Sequence, residues 1–227
     1  MKRLLTVLLI FIVLSGCSVP MIGGNGCPPN TIIEWKHIVQ INDIKYAALD
    51  PGTFQVKEGD KGQIVGEVSY TMADKACSNH QMKNGHAAFL GVGTEIYEHT
   101  GYKTSYRVIA DDIVYEVEEN DQAKTIGDLY DIEGKVVGMS LRSSYDGSHV
   151  MDLEEEHWGG FVDEFLALDY LGFDEVYEKI ENDDRTFLHI HLKDDSAVGI
   201  VYWTEGNVIN TGAIGNEEMM RIIELYD

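Results

Sequence analysis

Between Thr31 and about Asn120, apolar residues recur at every second position in short runs, and no stretch keeps the 3.6-residue spacing of a helix for long. Residues 38–41 and 44–49 flank Asn42-Asp43, a pair that tolerates the left-handed backbone of a tight hairpin turn. Residues 53–56 and 63–70 follow. The second of these sets Ile64, Gly66, Val68 and Tyr70 against Val65, Glu67 and Ser69. Residues 87–90, 95–98, 105–109 and 113–117 complete the series, with Gly85, Gly91, Gly93 and Gly101 at the bends. Strands this short, this closely spaced, predict a small all-β sandwich or barrel-like module over 31–121.

The apolar pattern stops at Glu118-Glu119-Asn120-Asp121-Gln122, and a module boundary is placed there. Beyond it, alternation returns over 136–141, a Tyr-Asp-Gly turn sits within 143–148, and 150–153 forms a short strand. Phe161, Phe165, Leu168 and Leu171 then recur at helical spacing until Gly172, which suits a C-terminal stop. Asp174 is expected to cap a short second helix carrying Val176, Tyr177 and Ile180. Leu188, Ile190 and Leu192 form one face of a strand whose other face is Phe187, His189, His191 and Lys193. Asp194-Asp195-Ser196 turns into a strand over 197–203, and Glu205-Gly206-Asn207 turns again into Val208-Ile209. Asn216 caps a last helix with Met219, Ile222, Ile223 and Tyr226 on one side. Residues 122–227 thus predict an α+β module with an antiparallel sheet and two or three helices, and the whole chain an α+β protein.

Residues 1–30 follow another logic. Met1-Lys2-Arg3 is a short basic head, Leu4 to Leu14 is almost wholly Leu, Ile, Val and Phe, and Leu14-Ser15-Gly16-Cys17 closes the run. Head, apolar run and small-residue exit have the form of a secretory signal. The apolar run would span only about 16 Å as a helix, roughly half a bilayer core. Leu-Ser-Gly-Cys resembles the lipobox of bacterial lipoproteins. The resemblance implies removal of residues 1–16 and a diacylglyceryl group on the Cys17 thiol, an anchor that acyl chains make stable once two or more are present. Residues 17–30, rich in Gly and Pro, read as a tether.

The full chain is formally −22, and loss of Lys2 and Arg3 with no acid in the same stretch takes the remainder to −24. Nucleic acid is excluded as a partner, since phosphate binding needs a basic face. Anionic headgroups are excluded on the same ground, so the acyl chains alone would hold the protein to the membrane. Such a surface favours cationic ligands or an envelope protein as partner. With Cys17 acylated, Cys27 and Cys77 remain, an even pair in an oxidising compartment. A Cys27–Cys77 bridge is expected to tie the tether to the first module, adding on the order of 4 kcal/mol by loop entropy.

A second resemblance rests on Asn42-Asp43-Ile44-Lys45-Tyr46, Gly62-Gln63-Ile64-Val65-Gly66-Glu67-Val68, Gly85-His86-Ala87-Ala88-Phe89-Leu90, Gly93-Thr94-Glu95-Ile96-Tyr97 and Gly101-Tyr102. This pattern is similar to that of uncharacterised lipoproteins of Gram-positive, spore-forming bacteria. It covers about the first half of the chain beyond the signal and implies a cell-envelope setting. It supplies no catalytic residue: Gly93-Thr94 would turn the chain into a strand, and Tyr97 and Tyr102 would serve packing.

For chemistry, His189-Ile190-His191 is the best metal-like feature. Two imidazoles at i and i+2 on a strand point the same way, and Asp194, Asp195 or the run Asp152-Glu154-Glu155-Glu156-His157 would supply a third ligand. No HExxH, zinc-finger Cys pair or EF-hand spacing accompanies it, and there is no nucleophile-elbow serine. Cys77-Ser78-Asn79-His80 reads as a disulfide or buried thiol, and Gly91-Val92-Gly93-Thr94 lacks the lysine of a phosphate loop. The expectation is a non-enzymatic, cofactor-free lipoprotein on the outer leaflet of the cell membrane, facing the exterior. Two alternatives stand beside it: a metal-assisted hydrolase using His189 and His191, and an inhibitor or immunity-type protein covering a basic cleft.

Overall fold

The structure, a computed structural model, describes Cys27 and residues 33–49, 54–73, 75–180, 182 and 184–226. Cys17 and the whole signal segment lie outside the described residues. Contacts divide the chain into a small unit, Met1–Glu34 with Ala73–Gln81, and a large one, Trp35–Met72 with Met82–Asp227. In the small unit Cys27 is bonded to Cys77, their Cα atoms 5.4 Å apart across a separation of 50 residues. That bond removes the Cys77 thiol as a nucleophile.

The large unit is an α+β fold with two sheets. The first contains β1 (Ile38–Ile41), β2 (Ile44–Ala48), β3 (Lys61–Glu67), β4 (Tyr70–Thr71), β5 (His86–Ala87), β6 (Glu95–His99), β7 (Arg107–Ala110) and β8 (Ile113–Glu119). Their order is β3-β6-β7-β8-β2-β1-β5-β4, antiparallel except for the parallel pair β4–β5. Two hairpins rest on polar pairs in the left-handed region. Asn42 and Asp43 (φ 50° and 62°) join β1 to β2, and Asp111 and Asp112 (φ 49° and 57°) join β7 to β8. Asn and Asp tolerate that backbone because their short side chains bond locally. Asn84 completes the first turn, exchanging hydrogen bonds of 2.8 Å with the Asp43 backbone and carboxylate.

The second sheet runs β10-β9-β11-β12-β13-β14. Its strands are β9 (Val136–Arg142), β10 (His149–Asp152), β11 (Arg185–Leu192), β12 (Ala197–Trp203), β13 (Val208–Ile209) and β14 (Ala213–Ile214). Leu188, Ile190 and Leu192 on β11 face the core with Val198, Ile200 and Tyr202 on β12, as alternation requires.

Four helices are described, against the two or three expected: α1 (Ile126–Leu129), α2 (Glu155–Ala167), α3 (Phe173–Tyr177) and α4 (Glu217–Ile223). The unforeseen one, α1, is a single turn held by a capping box. The Asp128 N–H donates to Thr125 Oγ1 at 3.1 Å while the Asp128 carboxylate accepts from the Thr125 N–H at 3.0 Å. Helix α4 is capped as expected, with the Met219 N–H donating to Asn216 Oδ1 at 3.0 Å.

Several expectations need correction, among them the strand over 87–90, of which only Ala87 belongs to a strand, β5 (His86–Ala87). Helix α2 begins inside the acidic run, at Glu155, and ends at Ala167, well short of Gly172. The Leu168 N–H closes on the Phe165 carbonyl, and the Tyr170 N–H leaves for the Lys124 carbonyl, so the chain goes extended. Gly172 (φ 85°), not Asp174, occupies the N-cap position of α3, with no side-chain cap. Residues 54–57 form no strand, and Glu58–Asp60 is a 3₁₀ turn.

One apolar core receives residues from both sheets and from α1, α2 and α4. An aromatic series threads it, from His99 to Tyr102 (4.9 Å between centroids), Tyr106 (5.5 Å), Tyr130 (5.5 Å) and Phe165 (6.0 Å). The first three pairs are edge-on, which adds to area burial because ring edges are positive and faces negative.

Candidate functional site

Arg107 is wholly buried on β7. Its Nε and Nη2 donate to Glu116 Oε2 at 3.0 and 2.7 Å, and its Nη1 donates to Ser196 Oγ at 2.8 Å and to Asp194 Oδ2 at 3.3 Å. Tyr106 donates to Glu116 at 2.8 Å and Tyr102 to Asp194 at 2.7 Å, and both rings stack within 4.8 Å of the guanidinium. Burial works against the charge, but Glu116 and the two tyrosines hold the Arg107 pKa above its ordinary value. Burial likewise opposes ionised Asp194, yet Ser196, Tyr102 and Arg107 bring its pKa below the ordinary value. Glu116 Oε2 thus accepts three hydrogen bonds and each guanidinium nitrogen makes at least one. This hub joins β7 and β8 to the β11–β12 turn and is structural.

Beside the hub a cleft of about 320 Å³ is lined by Phe54, His99 and Tyr102, with Lys57, Lys135 and Lys193 facing Asp60, Asp194 and Asp195. Its charges balance. The buried His99 ring places Nδ1 3.1 Å from the Thr100 carbonyl and leaves Nε2 without a hydrogen-bond partner.

A larger cleft, about 740 Å³, is different in kind. It is lined by the end of β8 (Glu118, Glu119) with Asp121, by the extended segment leading into α3 (Tyr170, Leu171, Phe173, Asp174, Glu175), by Asn210 and Thr211, and by Lys36. Two glycines build its rim. Gly172 (φ 85°) and Gly212 (φ 89°) approach so closely that a Cβ on Gly212 would lie 2.6 Å from the Gly172 carbonyl carbon. Only glycine satisfies both the backbone and the contact. The Leu171 N–H donates to the Gly212 carbonyl at 2.8 Å and locks the two segments together.

Of the five carboxylates, Glu118 pairs with Lys36 at 2.6 Å and Glu119 with Lys45 at 2.5 Å. Asp121, Asp174 and Glu175 make no side-chain hydrogen bond or ion pair among the described residues. Burial, then the facing carboxylates of Glu119, Asp121 and Glu118, push the Tyr170 phenol above its ordinary value against the pull of the Asn120 backbone. Thr211 is 8% exposed and its Oγ1 has no partner. A buried hydroxyl without a partner costs stability. Leu171 and Phe173 stay 47% and 38% exposed on the same wall. The arrangement can hold positive charge against an apolar surface.

The histidine pair sits elsewhere. His189 and His191 share the outward face of β11, with ring centroids 6.3 Å apart. His191 Nε2 lies 2.7 Å from Ser140 Oγ, and burial first lowers both pKa values. Asp194 is committed to the hub and Asp152 to His149 at 2.8 Å. Among the described residues no group of three His, Cys, Asp or Glu side chains is arranged around one metal ion. The Ser140–His191 pair has the spacing of a nucleophile and its base, but Ser140 is fully buried, so no substrate carbonyl reaches its oxygen.

Sequence reasoning placed none of the cleft residues together. Glu118 to Asp121 read as a boundary and Asp174 as a cap, and no spacing rule links either to Thr211. Tyr102, expected to serve packing, also donates into the hub. Among the described residues no helix is long and apolar enough to cross a membrane. No family model, curated protein or solved structure matches the chain.

Proposed function

We propose that this chain is a lipid-anchored, extracellular binding module of a Gram-positive cell envelope, and that it holds its ligand, without chemistry, in the cleft of Glu118, Asp121, Asp174, Glu175 and Thr211. The observation that carries this reading is an open cleft of about 740 Å³ in which Asp121, Asp174 and Glu175 stand without an ion pair among the described residues, beside the exposed Leu171 and Phe173. The lipobox-like Leu14-Ser15-Gly16-Cys17, the tether after it and the Cys27–Cys77 bond support an exported, anchored chain. In this reading the all-β segment 31–121 and the α+β segment 122–227 each wall one side of the cleft.

Two measurements test it. Radiolabelled palmitate should enter the wild-type chain and be lost with Cys17→Ala; label that persists sinks the anchor. A photo-crosslinking residue at Leu171 should capture a discrete adduct in intact cells, and an empty lane from well-expressed protein sinks the cleft.

A further inference from the structure

We infer that the loop between β5 and β6, residues 88–94, docks into the outer leaflet of the bilayer that carries the chain's own anchor. This rests on the anchored reading above and adds how the chain sits on its membrane. Three observations carry it. The first is the surface. Phe89 and Val92 are 51% and 62% exposed, while Ala88 and Leu90 beside them are buried. Isolated apolar residues on a surface are ordinary, but these two share a loop with no charged side chain in a protein of which 25% is charged. An anionic leaflet repels a chain of net charge −22, and an uncharged loop is the part it repels least.

The second is the backbone, much of which is already bonded within the protein. The Ala88 N–H donates to the Ile38 carbonyl at 2.8 Å, Thr71 Oγ1 to the Leu90 carbonyl at 2.7 Å and the Gly93 N–H to the Val68 carbonyl at 2.8 Å. The Val68 N–H returns a bond of 2.9 Å to the Thr94 carbonyl, and the Thr94 N–H closes a turn on the Gly91 carbonyl at 3.1 Å. Backbone satisfied in this way enters an apolar phase at small cost, and a loop already held in place loses little freedom on docking. The third is position. The loop is bonded to Ile38 at the start of β1, and the Phe89 ring meets His37 edge-on at 5.3 Å between centroids. About 20 residues separate His37 from Cys17, a reach of at most about 70 Å. Two side chains too few to draw a protein from solution are enough to orient one that acyl chains already keep at the bilayer, because tethering raises their effective concentration there.

The test places a photo-crosslinking residue at Gly91, where an added Cβ meets nothing closer than 3.9 Å, in the full chain purified from cells and reconstituted in phosphatidylcholine vesicles. A phospholipid adduct is expected, at least tenfold above that from the same residue at Tyr145, which is 96% exposed on the turn between β9 and β10. Phe89→Ser with Val92→Ser should cut the Gly91 adduct at least fivefold and leave the melting temperature in place, since both side chains are already half exposed. Equal lipid adducts at Gly91 and Tyr145, or an adduct indifferent to the double variant, would overturn the docking. A protein–protein adduct at Gly91 in place of lipid would make the loop a contact between copies and overturn it too. Palmitate labelling separates this loop from the anchor: a labelled chain with no lipid adduct removes the loop alone. An unlabelled chain that still gives the Gly91 adduct removes the anchor and leaves the loop as the membrane contact.

Discussion

Strand β8 places carboxylates in two environments a few residues apart, and the contrast separates what holds this protein together from what it offers to others. Glu116 points at buried Arg107 and shares its oxygen with two guanidinium nitrogens and Tyr106. Glu118 and Glu119 lie at the mouth of an open cleft, restrained by surface lysines. A buried, hydrogen-bonded ion pair is costly to break because either partner left alone is a stranded charge. An exposed pair contributes little and can be exchanged for a ligand. The hub therefore acts as structure and the cleft as an available surface.

The sharpest way to break this comparison is Arg107→Met, which strands Glu116 and Asp194 in the interior. A loss of about 3–5 kcal/mol is expected, seen as a melting temperature lower by roughly 10 °C or more; a near-neutral result would show that the hub is replaceable by packing. Gly212→Ala comes next. Its methyl would press on the Gly172 backbone at a positive φ, at a cost of about 1–3 kcal/mol, and it should displace the cleft rim so that the Leu171 crosslink fails. Urea midpoints would measure the first effect.

Acidity discriminates between the regions more gently. Burial first holds His37, His99, His189 and His191 below the ordinary histidine value of 6.5. The unfolded chain then takes up protons before the folded one does, so stability is full above pH 6.5 and falls as pH drops from there toward the folded values. Asp194, held below 3.8, adds a second loss only as pH falls through its own folded value. Thermal melts from pH 8 to pH 3 should show both steps, and Arg107→Met should lessen the lower one without abolishing it, because Ser196 and Tyr102 also hold Asp194 down and Asp131 is lowered independently. The smallest effect belongs to Thr211: Thr211→Val, which deletes the orphaned hydroxyl, should raise stability by about 1 kcal/mol. A fall in the melting temperature would mean that Oγ1 is already satisfied in solution.

Much of the fold was legible because strand and cap signals are local. Asn42-Asp43 announced its hairpin, alternation at 187–193 and 197–203 announced β11 and β12, and Asn216 announced α4. The misreadings came where a distant partner overrides the local pattern. Leu168 and Leu171 kept helical spacing, but the backbone from 168 to 171 bonds to Phe165, Lys124 and Gly212, so α2 stops early. Thr125 and Asp128 carry a capping box too short to register as helical periodicity. The histidine pair was read correctly as sharing a strand face, while the bond from His191 to Ser140 on the neighbouring strand was invisible from spacing.

By itself the sequence determined the α+β character, the acidity of the chain, and the Leu14–Cys17 pattern from which an anchor is proposed, because each depends on residue type at short range. Only the tertiary structure decided that Arg107 is buried among two acids and two tyrosines, and that Asp121, Asp174 and Thr211 line one cleft. Those groupings join segments tens of residues apart through strand order and through the touching glycines 172 and 212, and long-range contacts of that kind leave no periodic trace in the chain.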